Sequence, residues 1–410
     1  MEKDAIITAI DVGTTKVCTL TAQVEDEQTV RILGVGIEPT QGIRKGMVID
    51  IPLAANSIAS SIKKAERASG LQIDNAVVSV AGSHISSVNN KATVGIVGGV
   101  ISKEDVARVL ESVKAISIPS GRTIIHTVQR TFSVDGIEGI RSPKGMYGSR
   151  LDVEAHIITA SESSIENLRQ CIMTAEVDVS QFVLNSLADA SVLLTDIEKQ
   201  MGVIVCDIGG GTTDLALFIN NDVWHTNVIS VGGNHITADI SQAFHLPTAQ
   251  AEEVKKMHGC ALPKYVDDEE YFYCRTFGKD EAAKFSRKQL AEVINMRAEE
   301  MFQLVLQEIK RSGYDNLLPA GMVLTGGTSL LPGIDKLGSD ILGMPVCIAK
   351  PERMTGMIDQ LNSPAYSTAV GLLYWSMLVQ ESSPEDAGKG GNTIVKPADR
   401  VKRFFRMLLP

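Results

Sequence analysis

The chain has 410 residues, 44% hydrophobic and 21% charged, with a formal net charge of -10. That length exceeds one hydrophobic core and calls for two domains or more of an ordinary soluble globular protein, while the acidic balance excludes a general nucleic-acid binder. The six cysteines show no CxxC spacing and read as small core residues in a reducing cytosol, and the sequence has no apolar run able to cross a bilayer, no signal-peptide pattern, no HExxH, no GxxxxGK[ST] loop and no GxSxG elbow.

The first element is a hairpin. Ile6–Ile10 and Val17–Leu20 read as strands, and Asp11-Val12-Gly13-Thr14-Thr15-Lys16 joins them. Val30–Ile37 is a third strand. Asp50 caps a helix with Pro52 in its first turn and Gly70 at its end. Ala76–Val80 is the next strand, so strands alternate with helices in the manner of an α/β fold.

Residues 84–160 have a different texture. Ser102-Lys103-Glu104-Asp105 opens a helix whose apolar stripe is Val106, Val109, Leu110 and Val113. Thr123–Val134 and Leu151–Thr159 read as strands around a Gly- and Pro-rich loop at 135–150. This is a small α+β insert, or else a decorated loop of the first lobe.

A helix follows over Ser161–Thr174, then a short strand and helix over Ser180–Leu194 containing Asn185-Ser186-Leu187-Ala188-Asp189-Ala190. Next comes the central motif, Asp207-Ile208-Gly209-Gly210-Gly211-Thr212-Thr213-Asp214, between the buried strands Val203–Cys206 and Leu215–Phe218. Three glycines let backbone and ligand approach closely. Their N–H groups can form an anion-binding concavity, and Thr212 and Thr213 add hydroxyls. A carboxylate on either side of a phosphate cradle calls for a cation, and Asp207 suits Mg²⁺, held directly or through water. A glycine-rich hairpin without a ligand is the plainer alternative. The N-terminal hairpin repeats the grammar of strand, Asp-x-Gly, Thr-Thr, strand. It therefore reads as a degenerate internal repeat, two similar lobes with nucleotide between them. Lys16 can serve the phosphates as a point charge.

Beyond the motif, Asn220-Asn221-Asp222 turns into a strand over 223–231, and after Gly232-Gly233 a helix runs from Asn234 to Phe244. Glu252 and Lys255 stand three apart on one helix face, as a solvated ion pair or as ligand contacts. Residues 259–285 read as polar and irregular. A long helix runs from Ser286 to Gly313. The strand Met322–Leu324 leads to Thr325-Gly326-Gly327-Thr328-Ser329, where backbone can pass close under a flat base. Ser363-Pro364 caps a last helix, in which Ala369 and Gly371 allow close packing. Residues 381–397 are a flexible linker. In the tail, 398–410, Val401, Phe404, Phe405 and Leu408 follow i, i+3, i+4, i+7 spacing, with Arg400, Lys402, Arg403 and Arg406 on the basic side. This predicts an interfacial helix on anionic lipid, with docking on another domain or protein as the alternative.

The paired hairpins resemble the actin-like ATPase superfamily. The chain as a whole is similar to the bacterial FtsA family, on the Asp207–Asp214 loop, on Ala365-Tyr366-Ser367-Thr368-Ala369-Val370-Gly371-Leu372-Leu373, and on the linker with its amphipathic tail. The resemblance implies a two-lobed actin-like α/β fold with two related mixed sheets. The first lobe core is 1–83 with 161–197, and its inserted subdomain is 84–160. The second lobe core is 198–231 with 312–380, and its outer subdomain is 232–311. It implies ATP bound with Mg²⁺, with Asp11 and Asp207 as metal ligands. Gly13, Thr14, Thr15, Lys16, Gly209, Gly210, Gly211, Thr212, Thr213 and Gly233 would hold the nucleotide, with Glu252, Lys255, Gly326, Gly327 and Ser329 on the adenosine side. Family members place Gln or Glu near Asn185 to orient the attacking water. Asn has no basic group, so slow or negligible hydrolysis is expected. The resemblance further implies filaments of the chain itself and an acidic C-terminal peptide of FtsZ bound near Arg287, Lys288, Asn295 and Arg297. Other division proteins would meet the insert, at the cytoplasmic face of the inner membrane at the division site. A sugar kinase, a chaperone ATPase and a type IV pilus assembly protein of the same fold are the rival readings. The kinase lacks a nameable base, the chaperone a substrate domain, and the pilus protein a reason for the basic tail.

Overall fold

The computed structural model describes residues 4–26, 29–277 and 281–380; the expected linker and amphipathic tail lie outside them. The chain begins with the predicted hairpin, β1 (Ile6–Val12) and β2 (Lys16–Val24), followed by β3 (Val30–Pro39). Two short strands, β4 (Ile43–Arg44) and β5 (Met47–Val48), lead to α1 (Ile51–Ser69). Asp50 caps α1 by accepting from the Leu53 N–H at 3.0 Å, and Gly70 ends it in the left-handed conformation at φ 72°. Ile58, Ile62 and Ala65 are buried on its inner face, whereas Leu53 in its first turn is exposed. β6 (Asn75–Val80) then pairs parallel to β1.

The insert is a subdomain with its own core. It comprises β7 (Ser86–Gly95), α2 (Lys103–Lys114), β8 (Arg122–Val134), β9 (Ile137–Ile140) and β10 (Arg150–Ser161). Its sheet runs β7-β10-β8-β9, and Val109 and Val113 of α2 cover Phe132, Leu151 and Val153. Two strands here were not expected. β7 is a polar edge strand whose Ser87 and Asn89 spend their side chains on neighbours, so no apolar alternation marks it. β9 sits inside the predicted loop as the return arm of a hairpin whose turn places Asp135 and Gly136 at positive φ.

The chain re-enters the first lobe through α3 (Glu162–Met173), β11 (Asp178–Leu184) and α4 (Asn185–Leu193), and α5 (Asp196–Met201) leads out of it. The second lobe repeats the first. β12 (Val203–Ile208), β13 (Thr213–Ile219) and β14 (Asp222–Ile229) form an antiparallel meander matching β1-β2-β3. Then come α6 (Gly233–Phe244), α7 (Thr248–His258), β15 (Tyr271–Arg275), β16 (Ala282–Ser286) and α8 (Arg287–Ser312). Here β15 and β16 form a hairpin within the stretch read as irregular, seating Phe272 and Phe285 on Phe244 and leaving Tyr271 and Tyr273 exposed.

β17 (Met322–Thr325), α9 (Ile334–Leu342) and β18 (Val346–Ile348) complete the second sheet, in which β17 lies parallel to β12 as β6 does to β1. The two sheets run β11-β6-β1-β2-β3 and β18-β17-β12-β13-β14, so the internal repeat extends over five strands per lobe. The last elements depart from the expected division. β19 (Met354–Gly356) joins β3 of the first sheet, and α10 (Ser367–Gln380) packs on α4, β1, β2 and β6. The end of the chain described here thus returns to the first lobe. Residues Ala369–Met377 of α10 are apolar on nearly every side, so their pattern does not disclose which surface they cover.

Candidate functional site

The two glycine hairpins meet. A β-carbon on Gly210 would lie 2.1 Å from Thr15 Oγ1, and one on Gly211 would lie 2.5 Å from Thr14 Oγ1. Only glycine permits the turn of one lobe to seat against the threonines of the other. The N-terminus of α6 secures the second hairpin, with the N–H groups of Gly233 and Asn234 donating to the carbonyls of Gly209 and Gly210 at 2.9 and 2.8 Å. Thr328 Oγ1 donates to Gly209 O from the other side at 3.0 Å.

Between the hairpins is a cavity of about 520 Å³, within the range of small-molecule sites, about 300–1,000 Å³. Asp11, Gly13, Thr14, Thr15, Lys16, Asp207, Gly209, Gly210, Gly211, Thr212, Gly233, Glu252, Lys255, Gly326 and Gly327 all line it. Two expected residues do not. Thr213 is buried, and its hydroxyl donates to Val231 O at 2.8 Å. Ser329 is turned inward to donate to Gly326 O at 2.7 Å, and its neighbour Thr328 takes the place on the wall. In both cases register within a turn, unreadable from residue type, decides which hydroxyl faces the ligand space.

The carboxylates are the chemical centre. Ser79 Oγ donates to Asp11 Oδ1 at 2.9 Å and accepts from the Val12 N–H. Asp207 accepts from Thr368 Oγ1 at 3.2 Å through Oδ2, while its Oδ1 is buried without a partner among the described residues. Gly326, at φ 87°, presses against that oxygen so closely that a β-carbon there would stand 2.0 Å from it. Asp214, opposite Asp207 in the β12–β13 register, accepts from Thr212 and also keeps a buried unpartnered oxygen. Burial pushes the carboxyls of Asp11, Asp207 and Asp214 above their ordinary range. Asp11 adds to this for Asp207, and Lys16 opposes it for Asp11 and Asp207. Orphaned acceptors crowded by like charge in a glycine-walled cleft fit a hard cation. Among the described residues no group of three or more His, Cys, Asp or Glu side chains could hold a metal ion.

On the far wall, Lys255 forms a 2.6 Å ion pair with Glu252 and donates to Thr237 Oγ1 at 2.8 Å and to Gly233 O at 3.1 Å. The pair is largely buried, not the solvated surface pair that its spacing also allowed. Burial lowers the pKa of Lys255 against the pull of Glu252. Burial also opposes the charge on Glu252, but Lys255, the Thr237 hydroxyl and Lys256 together outweigh it and hold that carboxyl below its ordinary value. Lys16 Nζ sits 4.7 Å from the ring centre of Tyr366. Asn185 lines the cavity with a buried, unpartnered Oδ1.

Reasoning from sequence missed Tyr366 and Thr368 as residues of the cavity wall. It also passed over Asp189, which lies behind the wall 3.0 Å from Thr368 Oγ1 and shows in the sequence as a charge within the apolar run Leu187-Ala188-Asp189-Ala190. The four residues expected to meet an acidic peptide are spread along α8 and already engaged. Arg287 pairs with Glu270, Lys288 with Asp268, Arg297 with Asp239 and Glu300, and Asn295 donates to Ala261 O. The eight tail residues lie outside the described chain.

The family model "Cell division protein FtsA" matches residues 204–371, and "SHS2 domain inserted in FTSA" matches 82–159, the insert. The cell division protein FtsA of Pseudomonas aeruginosa is 37% identical over 380 residues, 93% of this chain and 91% of that protein. Among solved structures, a PilM-PilN type IV pilus biogenesis complex aligns with TM-score 0.63 at 16% identity, covering 90% of this chain and 98% of that one. MreB5 of Spiroplasma citri bound to ADP aligns with TM-score 0.54 at 17% identity, covering 92% and 97%. At such identities the structures show the actin-like fold alone, so the pilus reading gains only the shared architecture. With two actin-like lobes, the expected insert and a relative this similar across nearly the whole chain, the protein belongs to the cell division protein FtsA family.

Proposed function

We propose that the chain binds Mg²⁺·ATP between its lobes, polymerises, and ties the FtsZ division ring to the cytoplasmic face of the membrane at the division site. The observation that carries the nucleotide part is the 520 Å³ cavity walled by two facing glycine hairpins, each ending a strand in a buried aspartate. The hairpin glycines and threonines and Lys16 would hold the phosphates. Asp11 and Asp207 would hold the cation, which neutralises phosphate charge where the carboxylates alone would repel it. Glu252 and Lys255 would meet the ribose or base. Because Asn185 offers no base, nucleotide would act by biasing lobe arrangement and assembly, with turnover below about 1 s⁻¹, the low end of typical enzymes. No helix among the described residues is long and apolar enough to cross a membrane; attachment would be peripheral, through the basic tail on anionic lipid. The α8 residues Arg287, Lys288, Asn295 and Arg297 would face an acidic FtsZ peptide, and the insert would recruit further division proteins.

Calorimetric titration of wild type and Asp207→Ala with ATP, with and without Mg²⁺, tests the reading. Wild type should bind in a Mg²⁺-dependent manner and the variant should not. Equal affinity in both would overturn the site.

A further inference from the structure

The strongest arrangement outside the hairpins is the contact between α4 and α10. We propose that Asp189 is a positioning residue that keeps its proton and donates it to Thr368, so that Thr368 in turn donates to Asp207 Oδ2 and leaves Asp207 Oδ1 free for a cation. This rests on the Mg²⁺·ATP reading above and adds to it a residue outside the cavity wall.

Thr368 Oγ1 lies 3.0 Å from Asp189 Oδ1 and 3.2 Å from Asp207 Oδ2. A threonine hydroxyl has one hydrogen to give. If both carboxyls were ionised, one of these two contacts would set lone pair against lone pair. One acid must therefore supply the second hydrogen, and the surroundings say which. Asp207 lines the cleft, and there Lys16 opposes the burial and the Asp11 charge that raise its pKa. Asp189 is fully buried, is not on the cavity wall, and its Oδ2 has no hydrogen-bond partner among the described residues. An ionised carboxylate so placed would be desolvated and unpaired, whereas a neutral acid leaves only a weak acceptor unsatisfied.

Helix packing fixes the relay in place. α10 approaches α4 so closely that a β-carbon on Gly371 would lie 2.2 Å from Ala188 O, the carbonyl just before Asp189. Ser191 Oγ bridges the same pair, donating to Ala188 O or Gly371 O at 2.6 and 2.9 Å. On the other side of Thr368, the Ser367 hydroxyl meets Thr325 Oγ1 at 2.7 Å, so the first turn of α10 is anchored on β17 as well. The hydroxyl that orients Asp207 is thus held from two directions before any ligand arrives.

The test compares Asp189→Asn, Asp189→Ala and Thr368→Val in the full chain. An asparagine amide can donate to Thr368 as the neutral acid does, so Asp189→Asn should keep Mg²⁺-dependent ATP affinity within about twofold. Asp189→Ala and Thr368→Val should lose roughly tenfold or more, the usual effect of a hydrogen bond to a charged group. A second readout needs no nucleotide. The infrared difference spectrum of wild type minus Asp189→Asn at neutral pH should carry the carbonyl stretch of a protonated carboxylic acid. A carboxylate signature there, or an Asn variant as impaired as the Ala variant, overturns the proposal. If wild type itself fails to bind Mg²⁺·ATP, the nucleotide reading falls, and the infrared result still decides the state of Asp189.

Discussion

Gly210 of the second lobe sits against Thr15 of the first, with room for a hydrogen and none for a methyl group: a β-carbon would come within 2.1 Å of Thr15 Oγ1. Because Gly210 is not among the glycines with positive φ, the constraint is contact and not backbone strain. Gly210→Ala should destabilise the protein by about 1–3 kcal/mol, the usual range for overpacking, and weaken nucleotide binding. Thr15→Ala removes the opposing hydroxyl and should restore part of the stability when combined with it. Thermal unfolding of the two single variants and the double variant gives the coupling, and strictly additive effects would show that the hairpins do not meet.

A second contact between lobes is polar and pH-sensitive. His156 of β10 lies 2.6 Å from Asn89 Oδ1 through Nδ1 and 2.9 Å from Thr226 Oγ1 of β14 through Nε2. Arg130 is buried beside it, donating to Val223 O and Trp224 O. Burial, with Arg130 and His225 adding to it, holds the His156 pKa well below its ordinary value. The unfolded chain therefore binds a proton below about pH 6.5 that the folded chain refuses. The stabilisation is complete above that pH and is lost as pH falls, by about 1.4 kcal/mol per unit. Asp222 nearby acts in the opposite sense, its carboxyl raised to about 6 by burial. It is common to both proteins when wild type is compared with His156→Gln. The variant should show a flatter loss of stability between pH 7 and pH 5.5 by chemical denaturation, and identical slopes would mean that His156 titrates normally.

At the start of α8, Arg287 and Lys288 carry ion pairs to Glu270 and Asp268 on the loop before β15. An acidic peptide docking there has to displace these carboxylates. Reversing both basic residues to Glu should weaken peptide binding and flatten its salt dependence. Asp268→Asn with Glu270→Gln should strengthen it, by a few-fold at most, since exposed pairs contribute about 0–1 kcal/mol. Fluorescence anisotropy across a salt series reads both, and an unchanged slope in either variant places the peptide elsewhere.

As a helix, the tail would present Val401, Phe404, Phe405 and Leu408 on one apolar face, worth roughly 1.5–3 kcal/mol per side chain if fully buried. Each basic neighbour adds about 1 kcal/mol near anionic lipid. Ordering a short helix works against this, so one tail should bind weakly and a filament of many tails firmly. Phe404→Glu should abolish pelleting with anionic liposomes even for filaments, and pelleting at the wild-type level would exclude this mode of attachment.

Local signals made much of this protein legible. Strand, aspartate, glycine turn and returning strand lie within a dozen residues of one another, so both hairpins and their likeness could be read directly. Helix caps at Asp50, Ser102 and Ser286 were equally plain, because a cap is a bond across three residues. What remained hidden depends on elements distant in the chain. That Thr212 and not Thr213 faces the cleft follows from the register of β13. That α10 belongs to the first lobe follows from which surface was left uncovered, since an all-apolar helix carries no preferred face. That Asp189, Thr368 and Asp207 form one chain of hydrogen bonds requires α4, α10 and β12 to converge at a point where residues up to 179 positions apart touch. Sequence order carries the chemistry of each group, but burial and proximity set its charge, and only the packed tertiary structure supplies those.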